Sequence, residues 1–185
     1  MSRLIVLTGP SGVGKGTLLQ AILKRHPDLY VSISATTRSP RPGEIDGQHY
    51  HFLTRPEFER KVAQGEFLEW AEFAGNLYGT LRSAIEEQLR QGKRVILEIE
   101  LAGARQIRKT FPEARRIFIL PPSIDELESR IRHRGTESDE AIARRLARAQ
   151  AEIDAASEFD LQIINDDFER AIEQIESALF ATAAC

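Results

Sequence analysis

Cysteine is almost absent from this sequence, which excludes two ways of stabilising a small protein. The one cysteine, Cys185, is the last of 185 residues. A single thiol cannot form a disulfide within its own chain, and it cannot supply a set of cysteine ligands for a metal. A chain of this length, with ordinary apolar and charged content, instead buries one core to which small subdomains can be attached.

Long apolar runs and a large net charge are also missing. No run approaches the roughly 20 residues that cross a bilayer, and residues 1–3 lead into a strand pattern without the apolar segment of a secretory signal. The formal net charge of −3 argues against non-specific binding to nucleic acid. We expect a soluble, cytoplasmic protein whose partners are neither membranes nor nucleic acids.

The strongest positive signal is a glycine-rich loop near the start. Residues 4–7 predict a buried strand, and the apolar residues after the loop recur with helical spacing as far as Pro27. The loop has the pattern G-x-x-x-x-G-K, in which glycines let successive N–H groups turn inward around an anion. The helix dipole and the lysine ammonium add positive charge. We predict a binding site for the phosphates of a nucleotide, formed by Gly9, Pro10, Ser11, Gly12, Val13, Gly14, Lys15, Gly16 and Thr17.

Gly16 departs from the usual form of this loop. Ser or Thr at that position normally offers a hydroxyl to Mg²⁺, and we do not expect Thr17, one residue later, to replace it. The departure weakens the prediction of a direct metal ligand in the loop. It leaves the nucleotide prediction unchanged.

Strand and helix patterns alternate along the rest of the chain. This alternation favours an α/β fold in which a parallel sheet is covered by helices on both faces. Thr80 is predicted to cap the helix that follows it. The predicted strands comprise residues 30–33, 45–53, 67–73, 95–100, 117–120 and 161–164.

Basic residues from three distant parts of the chain point to a reaction. They are Lys15, the pair Arg38 and Arg41, and the group Arg130, Arg134 and Arg145. If these residues converge, they surround several phosphates, as phosphoryl transfer requires, and no protein nucleophile is needed. We interpret three further arginines as solvated surface charges, namely Arg132, Arg144 and Arg148.

Acidic residues near aromatic ones indicate recognition of a base. Glu69 beside Trp70, and Glu100 at a strand end, can accept the hydrogen bonds that the ring N–H and amino group of guanine donate, a pattern that adenine lacks. A site built on such bonds rejects the wrong base by roughly 10⁴-fold or more. From chemistry alone, an exposed Glu69 without a function is an equally good interpretation. The four histidines show no metal-ligand spacing and are interpreted as ordinary residues.

Signature segments spread along the chain carry a resemblance to a known family. They are the phosphate loop, residues 34–41, Gly43-Glu44, Gly47, Tyr50, Glu69-Trp70-Ala71, Tyr78-Gly79-Thr80, Arg134-Gly135-Thr136 and Asn165-Asp166-Asp167. On these segments the chain resembles the guanylate kinases over residues 4–180. The resemblance implies the fold of P-loop nucleoside monophosphate kinases, with residues 1–185 as one domain around a three-layer, parallel-sheet core. It assigns residues 1–33, 84–125 and 147–185 to the core, 34–83 to a GMP-binding subdomain and 126–146 to a lid.

The same resemblance implies an activity and a role for each site residue. The activity is transfer of the γ-phosphoryl group of ATP to GMP with Mg²⁺, giving ADP and GDP in purine nucleotide metabolism. The GMP phosphate would be held by Arg38, Arg41, Tyr50 and Tyr78. Guanine would be read by Ser34, Glu69, Thr80 and Glu100. The transferring group would be stabilised by Lys15, Arg134 and Arg145, with Arg130 assisting, while Asn165 would lie near adenine.

Two acids and two alternative functions stay open. Glu98 and Glu100 stand where the resemblance leads us to expect aspartate at one or both positions. Glu98 is expected to act on Mg²⁺ through water, and Glu100 to reach guanine directly or through water.

One alternative function is a phosphopeptide-binding module that uses the GMP site, against which the intact loop argues. The other is a kinase of a phosphorylated sugar, against which Glu69, Tyr78 and Thr80 argue.

Overall fold

A five-stranded parallel sheet forms the centre of the computed structural model, which describes residues 2–133 and 138–180. Strands are numbered along the chain over both sheets of the protein. Those of the central sheet are β1 (Leu4–Thr8), β2 (Tyr30–Val31), β7 (Val95–Glu98), β8 (Arg115–Leu120) and β9 (Leu161–Ile164). Their spatial order is β2-β7-β1-β8-β9, so the strand that precedes the phosphate loop lies in the middle.

Helices cover both faces of this sheet, because its strands are apolar on both. They are α1 (Lys15–Arg25), α3 (Arg82–Arg90), α4 (Leu101–Thr110) and α7 (Phe168–Phe180). Ile5 and Leu7 of β1 pack with α1 and α7, whereas Leu4 and Val6 pack with α3 and α4. Alternate side chains of one strand thus enter two separate cores. The predicted three-layer α/β architecture is confirmed.

A smaller four-stranded sheet lies beside the central one. Its strands are β3 (Ala35–Thr36), β4 (His51–Phe52), β5 (Phe67–Phe73) and β6 (Asn76–Leu81), in the order β4-β3-β6-β5. Helix α2 (Arg55–Ala63), which begins with a capping box of Thr54 and Glu57, places Phe58 against Phe67 with ring centroids 4.3 Å apart. Phe67 therefore belongs to a small separate core. Leu68, the next residue of β5, packs into the core beneath the central sheet, so β5 joins the two.

Two further helices follow β8. They are α5 (Ile124–His133) and α6 (Asp139–Asp154), and Ala156–Glu158 adds a short 3-10 turn after α6. Leu127 and Ile131 of α5 pack against Ile142 and Ala149 of α6 in a second small core. In the ranges that the structure describes, no helix is both long and apolar enough to span a membrane. The division of the chain into core, GMP-binding subdomain and lid remains a prediction.

Two local predictions are wrong, each for a physical reason. Of residues 45–53 only His51–Phe52 form a strand, because Gly47 takes a left-handed φ of 74° and the N–H of Ile45 donates to His49 Nδ1 within the same turn. Thr80 lies in β6 and does not cap a helix, since α3 begins at Arg82. Its hydroxyl donates instead to a buried carboxylate.

The central sheet has a topological switch point beside β1. The chain leaves β1 for α1 on one face and leaves the neighbouring β7 for α4 on the other face. The two connections therefore separate at the carboxyl ends of these strands and open a crevice. Ligands of open α/β sheets bind in this kind of crevice.

Candidate active site

The phosphate loop lies close to the backbone of β8 and to the side chain of Asn165, the residue that follows β9. Gly9 has a φ of 153°, and a Cβ atom there would lie 2.4 Å from the carbonyl oxygen of Ile119 in β8. Gly14 has a left-handed φ of 101°, and a Cβ there would lie 2.7 Å from Nδ2 of Asn165. Glycine is required at both positions, by conformation and by space.

Lys15 curls back over the loop that precedes it. Its ammonium donates to the carbonyl oxygens of Gly9 at 2.5 Å and Pro10 at 3.2 Å. Burial lowers the pKa of Lys15, and the charge of Glu98, at the end of β7, opposes that change more than those of Glu152 and Glu100. In turn, burial raises the pKa of Glu98 and Lys15 opposes that rise. The Glu98 side chain opens onto the crevice between protein walls, so it is exposed and still poorly solvated.

The outer side of the loop is fixed by Asn165 and Arg130. The Asn165 amide, at the end of β9, is buried and donates to the Val13 carbonyl oxygen at 2.8 Å. The Arg130 guanidinium donates to that same oxygen at 3.4 Å, to the Asn165 carbonyl at 3.2 Å and to Glu126 at 3.0 Å. A cavity of about 540 Å³ opens there and is also lined by Thr17. Arg130 therefore lies on the opposite side of the loop from the crevice.

A larger cavity of about 660 Å³ lies on the inner side of the loop, in the crevice. The predicted site residues that line it are Gly9, Ser11, Lys15, Ser34, Tyr50, Glu69, Tyr78, Glu98, Glu100 and Arg145. Arg145 reaches it from α6 and donates to the Ser11 hydroxyl of the loop at 2.9 Å. The fold thus brings the loop, the small sheet, the end of β7 and α6 together around one space. Arg134 lies outside the described residues.

One wall of this region carries a basic and aromatic cluster. The Arg38 guanidinium lies 5.4 Å from the ring centroid of Tyr50, whose ring lies 6.2 Å from that of Tyr78. Glu44 accepts two bonds from Arg38, at 2.8 and 3.0 Å, and one from the backbone N–H of Arg41 at 2.7 Å. These bonds, chiefly those from Arg38, lower the pKa of Glu44 to about 2. Glu44 is not among the predicted site residues. Its position, as an acidic residue within a basic loop, could have indicated it.

Glu69 is buried at the bottom of the larger cavity, where it is 5% exposed. It lies opposite Thr80 in the β5–β6 ladder, and the Thr80 hydroxyl donates to its Oε1 at 2.7 Å. Desolvation raises the pKa of Glu69 to about 7, although the bonds from Thr80 oppose this change. The interpretation of Glu69 as a plain exposed residue is therefore wrong.

Arg148 is exposed, as predicted for a surface charge, but it is also paired at the candidate site. It lines the larger cavity, and its guanidinium lies 4.7 Å from the ring centroid of Phe73 in β5. It donates to the carboxylate of Glu100 and, at 3.0 Å, to that of Glu152. Arg148 thereby connects α6 with the small sheet and with the start of α4. Pairing between residues so distant in sequence leaves no local pattern.

The described residues, 2–133 and 138–180, contain no group of three or more acidic, histidine or cysteine side chains that could hold a metal. Gly16 offers no oxygen from its side chain, and a Cβ placed there would have no atom within 4 Å. Glu98 lines the same cavity as Lys15. A hard cation at this site would need phosphate and water as further ligands.

Comparison with known proteins agrees with this geometry. The family model for guanylate kinase matches residues 1–182. The chain belongs to the guanylate kinase family. It is 67% identical to a guanylate kinase of Nostoc sp. over 178 residues, which are 96% of this chain and 89% of the relative. It is 65% identical to a guanylate kinase of Synechococcus elongatus over 181 residues, 98% of this chain and 99% of the relative.

A solved guanylate kinase structure has the same fold. The crystal structure from Anaplasma phagocytophilum is 34% identical in sequence and superposes with a TM-score of 0.76, covering 96% of this chain and 84% of that one. The family assignment made from the signature segments is thereby confirmed.

Removal of the Asn165 amide should weaken the loop. Asn165→Ala deletes the buried 2.8 Å bond to the Val13 carbonyl, and we expect it to lower the free energy of unfolding by about 1–3 kcal/mol. Urea denaturation measures this change. Asp166→Ala, at the exposed neighbouring position, is the control and should lower the free energy of unfolding by clearly less. Equal losses in the two variants would contradict the assigned role of the amide.

Glu69→Gln should stabilise the protein at high pH more than at low pH. The pKa of Glu69 is about 7 in the folded state, above its ordinary value of 4.5, so folding is favoured by its protonation. This stability is fully present below pH 4.5 and is lost as pH rises through 7, by at most about 3 kcal/mol. Glutamine stays neutral, so the free energy of unfolding of the variant, measured by urea denaturation, should rise relative to that of the parent between pH 5 and pH 8. Glu72→Gln, an exposed change on the same strand, should show the same pH dependence as the parent.

Proposed function

We propose that this chain transfers the γ-phosphoryl group of ATP to GMP, giving ADP and GDP. The observation that carries the proposal is the buried Glu69, which Thr80 holds and which lines the same cavity as the phosphate-loop lysine. Membership of the guanylate kinase family and 67% identity to a curated guanylate kinase support it. The cytoplasmic location expected from the sequence remains a prediction.

The phosphate loop and the outer cavity form the ATP site in this proposal. The backbone N–H groups of the loop and the start of α1 receive the phosphates. The Lys15 ammonium exchanges the carbonyl oxygens of Gly9 and Pro10 for phosphate oxygens, which are stronger acceptors because they are charged. The adenosine occupies the outer cavity, where Asn165 and Arg130 form part of the wall.

The basic and aromatic cluster binds the phosphate of GMP. Arg38, Arg41, Tyr50 and Tyr78 supply its donors, as the family resemblance implies. Glu44 holds the Arg38 guanidinium by two bonds before any substrate contact. The arginine is thereby preorganised, and less side-chain entropy is lost when a phosphate binds.

Glu69 reads the guanine base. Its ionised carboxylate accepts bonds from the ring N–H and the 2-amino group, while adenine would place a lone pair against it. Because burial raises the pKa of this carboxylate to about 7, two donors from guanine stabilise the ionised form. Ser34 and Glu100 line the same cavity, and Thr80 holds Oε1 from behind.

The transfer itself needs alignment and charge neutralisation. An oxygen of the GMP phosphate attacks the γ-phosphorus of ATP, and the bond to the β–γ bridging oxygen breaks, so that ADP leaves with that oxygen. Lys15 and Arg145 neutralise the charge on the equatorial oxygens, and we propose the same role for Arg134. The Arg145–Ser11 bond already brings α6 to the loop. Arg130 assists from the outer side.

A Mg²⁺ ion bound with ATP would supply charge neutralisation on the transferred phosphates. Since Gly16 offers no hydroxyl, the residue we propose to hold its water is Glu98, the carboxylate at the end of β7. We also propose that residues 34–83 and 126–146 act as GMP-binding subdomain and lid, closing over the substrates and excluding water.

A coupled assay of ADP formation tests the proposal directly. With ATP and Mg²⁺, turnover should depend on GMP and stay at background with AMP, CMP, UMP or a phosphorylated sugar. GMP binding without turnover by folded protein would instead indicate a phosphopeptide-binding module. Turnover with the sugar alone would indicate the other alternative.

Two single variants should separate the two substrate sites. Lys15→Ala removes a charge that acts on the transferring group, so kcat should fall by roughly 10²-fold or more with little change in GMP affinity.

Arg41→Ala removes a charge-assisted phosphate contact, so the KM for GMP should rise about tenfold or more. Steady-state kinetics with each substrate varied measure both effects. A change confined to the KM for ATP in Arg41→Ala would refute this division.

A further inference from the structure

One face of α4 lies against β5 on both sides of Glu69. The residues on that face are Gly103, Gln106 and Thr110, which the helical repeat places on one side. Thr110 donates its hydroxyl to the Leu68 carbonyl at 2.9 Å. Helix and strand therefore meet at the two residues that flank the buried carboxylate and at the carboxylate itself.

Gly103 provides the space in which the Glu69 carboxylate lies. A Cβ at residue 103 would lie 2.4 Å from Oε2 and 3.0 Å from Cδ of Glu69. Real Cβ atoms do not come so close to a carboxylate, and Oε1 is already held by Thr80 at 2.7 Å. Gly103 does not have a positive φ, so the helix does not require glycine here for its conformation. Glycine weakens a helix relative to alanine, and the space it leaves is its evident advantage.

Gln106 fixes the backbone of the residue after Glu69. Its Oε1 accepts from the N–H of Trp70 at 3.1 Å, and its Nε2 donates to the Trp70 carbonyl at 2.6 Å. The side-chain amide thus pairs with β5 as another strand would. On its other edge, β5 pairs with β6, where Trp70 lies opposite Gly79. Both edges of the strand are bonded next to Glu69, and the carboxylate has little freedom to shift.

We infer that Gly103 and Gln106 are positioning residues that set the base specificity of this site. They act through Glu69: Gly103 leaves room for Oε2, and Gln106 holds the strand that carries the carboxylate. Guanine offers two donors, so both carboxylate oxygens must stay in place for full discrimination. The inference rests on the proposed reading of guanine by Glu69.

The probe for this role is IMP, whose base lacks the 2-amino group of guanine. The ratio of kcat/KM for GMP to that for IMP measures the bond between that amino group and Glu69. Gly103→Ala should lower this ratio about tenfold or more, mainly through the KM for GMP, because a displaced carboxylate meets fewer donors. Lys109→Ala, which removes an exposed side chain from the same helix, should leave the ratio unchanged.

A double-mutant cycle separates positioning from a general loss of stability. In the parent, Gly103→Ala should lower the urea midpoint because its methyl group collides with Glu69. In a Glu69→Ala background the collision is gone, and the same change should raise the midpoint through its better helix propensity. A midpoint lowered equally in both backgrounds would overturn the inference.

Gln106→Leu provides a second route if Gly103→Ala does not fold. It keeps the size of the side chain and removes both bonds to Trp70, so the GMP to IMP ratio should again fall. A parent that prefers GMP, with an unchanged ratio in both variants, would overturn this inference alone. A parent that phosphorylates neither nucleotide would overturn the proposed function together with it.

Discussion

Close contact between the phosphate loop and its surroundings is the constraint on which the rest of this structure depends. The loop can turn its N–H groups inward only if its outer side is firmly held, and no side chain fits at Gly9 or Gly14. Strand β8 holds it at the first of these positions and Asn165 at the second. The tight loop in turn divides the surrounding space into an inner and an outer cavity. A donor and an acceptor nucleotide can therefore approach the same point from two sides.

Two glutamates show how the environment of a carboxylate determines its use. Glu44 receives bonds from Arg38 and from the backbone of Arg41, and its pKa falls to about 2. Such a group stays charged and serves as a support for the arginines. Glu69 lies in a desolvated place against a hydroxyl and a glycine, and its pKa rises to about 7. A ligand that donates two hydrogen bonds can replace the solvation that burial removes from this carboxylate, and it then stabilises the ionised form.

Two acids, Glu98 at the end of β7 and Glu100 just before α4, distinguish this chain from the pattern we expected of its family. Glu98 lies near the phosphate-loop lysine, and the longer Glu100 reaches Arg148 on α6. The pair of Glu100 with Arg148 links the start of α4 to α6, a helix that begins in the predicted lid and ends in the predicted core. Arg148 also lies over Phe73 of the small sheet, so one guanidinium contacts the parts of the protein that surround the larger cavity.

The sequence by itself determined the features that depend on neighbouring residues. The phosphate loop and the alternation of strands and helices are local patterns, and the signature segments indicated the family. Only the tertiary structure decided which charges meet. It placed Arg130 behind the loop, brought Arg148 into the cavity and buried Glu69 between Thr80 and Gly103. Burial and pairing between distant residues arise from strand order and helix packing, and local periodicity predicts neither of them.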